Sequence, residues 1–600
     1  MCGIVGQLVL RGGEADAALI KTMVERLRHR GPDGEGIYLS GPIGLAHRRL
    51  AVATDLSGEG QQPMANEEGA LWIDFDGEIY NRPELREDLQ ALGHRFITAT
   101  DAEVVLHAYE EWGRDCLHRF NGVWAFAIWD EHRHELFCAR DRLGVKPFYY
   151  TFVGGSFLFA SEIKALLVHP AVGRRPNDRM LAAFLAWGVA DHTGETMYDG
   201  IFQLPPAHRL TVTERGAPEP ERYWDLAVNS ALGRADDDTA ARELKDILAD
   251  AVRLRLRDRV PVGTCLSGGI DSSTIAALAN DLLRAEGIRQ KTFSVCFDDP
   301  RFDESEHIDT VVAATGAVNR RVTPDAEELW EDIGRLLYMQ DEPFASLSIY
   351  AQYCVMRLAS NEVKAVLDGQ GADEQLGGYI AYQMPYIKGL LRRGRILPAL
   401  REAAGGVRHH RSFFSWAIRQ TLVRSERRGL LLGDVPEVLR YAGSLDEVLA
   451  REITATNLPL LLHWGDRNSM AFSVEVRVPF LDHRLAEYIA ALPLDQKIRG
   501  GVTKYVLRRA IRGLVPDTIR CRMDKMGFVT PEEAWMNDEL APHILDLFSA
   551  PEFARRPYWN AEQVLQKYQE FLGGRSEYST EFWRIACTEI WLRQFGDEGA

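Results

Sequence analysis

From Met1 to about Arg209, apolar residues fall in short runs broken by glycine: CGIVGQLVL, GIYLS, ALWIDFDGEIY, VWAFAIWD, ELFCARD and FYYTFVGGSFLFAS. Runs of this length, rich in β-branched and aromatic residues and bounded by turn formers, predict strands. Between them, AALIKTMVERLRH and PELREDLQALG repeat their apolar residues every three or four positions and predict amphipathic helices. The pattern is that of a strand-rich α+β domain.

The texture changes beyond TERGAPEPE and ADDD, polar stretches of turn formers that read as a linker over residues 211–238. ARELKDILADAVRLRLR then predicts a helix, VPVGTCL a strand, STIAALANDLLRAEG a helix and KTFSVCF a strand. Such alternation predicts a parallel α/β sheet. From Gln383 onward helix signals dominate, and the chain has no internal repeat or low-complexity tract. Two domains are therefore expected, at 1–210 and 239–600.

Bulk properties narrow the function classes. A chain of 600 residues with 46% hydrophobic and 26% charged residues is an ordinary globular protein too long for one core. A net charge of −17 argues against a nucleic-acid partner. The eight cysteines include no CxxC pair, as expected of reduced thiols. No apolar run reaches the roughly 18 residues of a membrane span, and no basic segment precedes a long apolar one at the start. A cytoplasmic protein without a membrane partner is expected.

Cys2 follows the initiator Met, whose removal would leave one residue carrying both a thiol and a free α-amine. With ordinary pKa values of about 8.5 and about 7.7 to 8.0, the amine can serve as base for its own thiol. Alone, a cysteine in second position is unremarkable. Its surroundings are not: MCGIVGQ, RHRGPDG (Arg28–Gly34), AHRRL, DGEIYN, TDAEV, RDRLGVKPFYY and ASEIKAL follow in one order. Together they resemble the class II glutamine amidotransferase domain, an N-terminal-nucleophile (Ntn) fold. The resemblance implies that Cys2 attacks glutamine, that Arg49 binds its α-carboxylate, and that Glu78 and Asp101 help hold its α-ammonium end. Gly77 would give its backbone N–H to the oxyanion. Asp76 departs from the family, which usually has asparagine there. An ionised carboxylate cannot donate a hydrogen bond, so three outcomes are open: Asp76 is protonated by burial, it turns away, or glutaminase activity is weakened.

LSGGIDSS (Leu266–Ser273) joins an apolar strand to an amphipathic helix. Its small residues, Leu266, Ser267, Gly268, Gly269, Asp271 and Ser272 among them, would present N–H groups at a helix N-terminus to a polyphosphate. No lysine follows the glycines, so this is not the P-loop pattern GxxxxGK(S/T). It resembles the pyrophosphate loop of ATP pyrophosphatases. VLDGQGADEQLGGY (Val366–Tyr379) adds a second glycine turn with Gly369, Gln370 and Asp373; RVPFLD and TKYVLRRA complete a resemblance to the asparagine synthetase C-terminal domain. That resemblance implies ATP as cofactor, Mg²⁺ held by Asp271 and Asp373, and Lys504 facing an acyl-adenylate. Two departures cluster where the acceptor should bind: Gln370 stands where many relatives have glutamate, and DEPFASLSIYAQY (Asp341–Tyr353) has no counterpart of their Thr-Thr-x-Arg loop.

The expected partners are thus glutamine, ATP and a carboxylate acceptor, with aspartate the leading candidate. Rival readings are another acceptor such as a sugar acid or biosynthetic intermediate, a relative using an internal amine, and a catalytically silent glutamine-binding scaffold. The sequence leaves the oligomeric state open, a homodimer included.

Overall fold

The computed structural model describes residues 2–51, 60–216, 219–226, 236–257, 261–410, 430–432, 441–523 and 529–596. The amino-terminal half is two six-stranded antiparallel sheets laid face to face. The first runs, in spatial order, Phe202–Gln203, Tyr149–Val153, Ser156–Ala160, Gly3–Val9, Ile43–Arg49, Gly34–Ser40. The second runs Glu221–Arg222, His208–Thr213, Glu135–Arg140, Gly122–Asp130, Leu71–Ile79, Met64–Ala65.

Strand alternation explains the layering. On Gly3–Val9, Ile4 and Leu8 enter the core between the sheets beside Leu45, Trp129 and Phe159, whereas Val5 faces the helix Ala17–Glu25. Between Ile4 and Leu8, the Gly6 position is closed to a side chain, since a Cβ there would lie 2.2 Å from the Phe159 ring. The outer face of the second sheet is covered by Arg82–Ala91 and Asp101–Trp112 through Leu85, Leu89 and Val105. Helix, sheet, sheet, helix is the α+β layering of an Ntn domain.

The last two strands on one side of the second sheet, His208–Thr213 and the edge strand Glu221–Arg222, fall partly and wholly inside the segment read as a linker. Its first turn formers mark a reversal, with Thr213 bridged to Gly216, and residues 217–218 and 227–235 of the segment lie outside the described residues. Tyr223 remains attached to this half through a hydrogen bond to the Arg140 carbonyl.

The second half holds a five-stranded, all-parallel sheet in the order Val318–Val322, Lys291–Val295, Val262–Cys265, Ala365–Leu367, Glu475–Arg477. The chain starts in the middle, proceeds to one edge, then returns to build the other. The reversal opens a crevice between Val262–Cys265 and Ala365–Leu367, where ligands of such sheets bind. From Gln383 to Phe595 the described residues are mainly helical. One apolar cluster joins the halves, packing Val24 and Leu158 with Leu336, Tyr350, Trp583 and Trp591. No helix among the described residues is long and apolar enough to cross a membrane.

Candidate active sites

Cys2 immediately precedes the strand Gly3–Val9, so its nitrogen is fixed by a central element of the first sheet. That nitrogen, the α-amine once Met1 is removed, donates to Asp76 Oδ1 at 2.8 Å. Asp76 is fully buried on Leu71–Ile79, and its Oδ2 accepts from Arg30 Nη2 at 3.1 Å. The carboxylate is therefore turned to the Cys2 nitrogen and to a guanidinium. Burial pushes the Cys2 thiol up from its ordinary value, while the positive chain terminus and a hydrogen bond from the Leu50 backbone pull it back.

Arg49 and Gly77 adjoin this centre along the chain, being next to Leu50 and Asp76, while Glu78 and Asp101 have partners of their own. Arg49 ends the strand Ile43–Arg49, next to Leu50. Gly77 admits no side chain, because a Cβ would lie 2.2 Å from the Val123 carbonyl oxygen. Glu78 accepts from Arg477, at the end of the parallel sheet, so it spans the two domains. Asp101 opens its helix, but the cap is Thr100, and Asp101 meets Arg82 at 3.5 Å.

Sequence reasoning assigned no role to the group behind Asp76. Arg30 is fully buried and touches three carboxylates: Asp76, Glu162 at 2.9 Å and Asp466, which it grips through two nitrogens at 2.6 and 3.0 Å. Its Nε also donates to the Cys2 carbonyl at 2.9 Å. Glu162 further receives Lys164 and His29, and Arg467 binds Asp466 at 2.9 Å and Asp341 at 3.4 Å. RHRGPDG was a visible motif, but Glu162 and Asp466 lie more than a hundred residues from Arg30 in sequence, and none of its carboxylate partners carries a local signature.

The second centre lies at the crevice of the parallel sheet. Gly268 takes φ +72° and a Cβ there would meet His307 at 2.7 Å, so glycine is required at this bend. The helix Ile270–Ala285 then begins without a side-chain cap, leaving its first N–H groups for a ligand. Ser267 and Ser272 brace the loop, their hydroxyls 3.1 Å apart. The second glycine turn packs against it, the Gly369 α-carbon placing a hypothetical Cβ 3.1 Å from Ser272 N. Both loops open onto a cavity of about 310 Å³, lined by Leu266, Ser267, Gly269, Asp271, Ser272, Gly369, Gln370 and Asp373.

Lys504, buried and in the left-handed region at φ +54°, places its Nζ 2.5 Å from Asp271 Oδ2 and 2.6 Å from Asp373 Oδ1. An ammonium group thus stands between the two carboxylates assigned to a cation, and their all-oxygen donor set fits Mg²⁺. Burial raises Asp368 to about 6, and burial together with the Asp373 charge raises Glu374 to about 7. The sequence did not reveal the far wall of the cavity. Ser348, Gln352, Leu461 and Trp464 come from two later helices, and only folding brings them to the loop at Ser267.

An Ntn-type nucleophile domain joined to a parallel-sheet domain with a polyphosphate-type loop defines a glutamine amidotransferase coupled to an ATP-using domain. Comparison with known proteins agrees: residues 1–224 match the glutamine amidotransferase domain and residues 243–593 match asparagine synthase. The chain belongs to the asparagine synthase family, whose members are glutamine-hydrolysing ligases. It is 30% identical to asparagine synthetase (glutamine-hydrolyzing) 1 of Bacillus subtilis, covering 98% of this chain and 96% of that one. It is 34% identical to asparagine synthetase (glutamine-hydrolyzing) 3 of the same organism, over 87% and 86% of the two chains. Amidase chry2 of Gibberella zeae is 28% identical over 91% of each.

Proposed function

We propose that this chain converts an ATP-activated carboxylate, aspartate in the first instance, to its amide, with ammonia released from glutamine at Cys2. The α-amine takes the thiol proton, and the thiolate attacks the glutamine side-chain carbonyl, with Asp76 holding the amine in place. Arg49, Glu78 and Asp101 orient glutamine, and the Gly77 N–H meets the developing oxyanion. At the second site the loop Leu266–Ser272 seats the phosphates of ATP. Mg²⁺, held by Asp271 and Asp373, would neutralise phosphate charge there. Lys504, released from those carboxylates, then faces the phosphate of the acyl-adenylate. The acceptor carboxylate attacks the α-phosphate and pyrophosphate leaves; ammonia then attacks the acyl carbon of the adenylate, AMP departs, and the nitrogen sheds a proton.

The observation that carries this reading is the contact of Lys504 with both Asp271 and Asp373 beside the cavity at the strand reversal. A specific feature favours a second acceptor class: Leu461, Trp464, Met356, Gln352 and Gln370 line the cavity, and its described lining includes no Lys, Arg or His for a second carboxylate of the acceptor. The test is pyrophosphate release from ammonia, ATP, Mg²⁺ and a panel of carboxylic acids. Asparagine formation supports aspartate. No asparagine, with another acid amidated, transfers the assignment to that acid.

A further inference from the structure

The helix Leu458–Met470 serves both centres. At 3.6 residues per turn, Leu461, Trp464 and Asn468 fall on one face, whereas His463, Asp466 and Arg467 fall on another. The first face belongs to the ATP-side cavity: Leu461 and Trp464 line it, and Asn468 donates to the lining residues Gln352, at Oε1 2.9 Å away, and Ile349, at its carbonyl 3.0 Å away. The second face reaches the glutaminase. Asp466 makes the two-nitrogen grip on Arg30, whose remaining contacts are the Cys2 carbonyl, Asp76 and Glu162.

From this geometry we propose that Asp466 is a positioning residue of the glutaminase, acting through Arg30 and Asp76 on the Cys2 amine, and that its helix reports the state of the carboxylate-activating cavity to that amine. The proposal rests on the two-site reading above. Every link is short and buried. Arg30, Asp76, Glu162 and Arg467 are fully buried, and Asp466 is nearly so. In such surroundings a guanidinium keeps its orientation only while its carboxylates keep theirs. Asp466 draws Arg30 toward the second domain, so that Arg30 touches Asp76 through a single nitrogen and Asp76 Oδ1 is left to the amine. Glu162 also faces His29, Lys164 and Arg467, Asp466 also faces Arg467, and the buried Lys146 ammonium acts on both Cys2 and Asp466. A shift of the helix when Leu461, Trp464 or Gln352 meets ligand moves Asp466 as part of the same rigid element. The step from Leu461 to Asp466 is only about 7.5 Å along the axis.

The experiment compares wild type, Asp466→Asn and Asp466→Glu. Glutaminase kcat/KM is measured from pH 5 to 9, without and with ATP plus aspartate, and ammonia-driven pyrophosphate release is measured alongside as a check that the second domain is folded. Asp466→Asn should lower glutaminase kcat/KM about tenfold, the loss expected for one charge-assisted contact. Its acid limb should move to lower pH, because Arg30 falls back onto Asp76 and the amine loses part of its anionic partner. Ammonia-driven release should stay within about twofold of wild type. Wild type should show faster glutaminase with ATP and aspartate present, Asp466→Asn should not, and Asp466→Glu should recover part of both effects. An unchanged pH profile in Asp466→Asn overturns the positioning role, and a wild-type glutaminase indifferent to ATP and aspartate overturns the reporting role. Failure of the two-site reading looks different: pyrophosphate is then released with no carboxylate, while the glutaminase pH profile still reads the Asp466 contact.

Discussion

Gly378→Ala perturbs the ATP-side centre without replacing a charged group. Gly378 has an ordinary backbone conformation, so alanine imposes no φ/ψ strain. Its new Cβ would lie 1.8 Å from Asp373 Oδ1 and 2.3 Å from Lys504 Cε. A carbon–oxygen contact needs about 3.3 Å, so the carboxylate must retreat by roughly 1.5 Å. Both obstructing atoms end flexible side chains and can move, which breaks the Lys504–Asp373 contact while Asp271 retains the ammonium. Stability should fall by less than the roughly 3 to 5 kcal/mol of a fully broken buried pair. Misplacement by about 1 Å in an active site can cost about a hundredfold, equivalent to roughly 2.7 kcal/mol in the barrier. The assay is ammonia-driven, ATP-dependent pyrophosphate release, with glutaminase measured on the same sample. A loss of about a hundredfold in the first and an unchanged second is expected. Pyrophosphate release within about threefold of wild type, in a variant of normal melting temperature, would refute the placement of Asp373 and Lys504 at the phosphates.

Cys2→Ala should abolish glutamine use and spare synthesis from free ammonia; loss of both in a folded variant would contradict the division between the centres. Asp76→Asn should lower glutamine turnover roughly tenfold or more, since the anionic acceptor of the amine is lost. An increase would instead favour the outcome in which Asp76 weakens glutaminase activity. Lys497 is buried and desolvation lowers its pKa from 10.5 to about 8. Below pH 8 its charge therefore costs stability, and stability rises between pH 8 and 10.5, where the unfolded chain binds more protons than the native one. Lys497→Met should raise the unfolding free energy at pH 7 by up to roughly 3 kcal/mol, with the gap narrowing above pH 8, as read by denaturant unfolding. A gap independent of pH would mean that packing, not charge, sets the difference.

The sequence by itself determined the local elements and much of the chemistry. Alternation in CGIVGQLVL specifies a strand with Ile4 and Leu8 on one face, and the apolar strand, glycine bend and amphipathic helix around Leu266–Ser273 specify a loop that presents N–H groups. These are short-range properties, set by side-chain period and by the φ each residue tolerates. Turn formers look alike whether they lie inside a sheet or between domains, so the pairing of Arg209–Thr213 with Glu135–Ala139 could not be read from the segment after residue 210. Tertiary structure alone decided what stands behind Cys2. An aspartate where a family has asparagine reads as a defect until its oxygens are seen to meet the Cys2 nitrogen and Arg30. Asp466 carries no signal at all, since it sits in an ordinary amphipathic helix 436 residues from its partner. Long-range charge pairing has no period and no spacing along the chain. It arises only where packing removes water and leaves each buried ion no partner but the one the fold delivers.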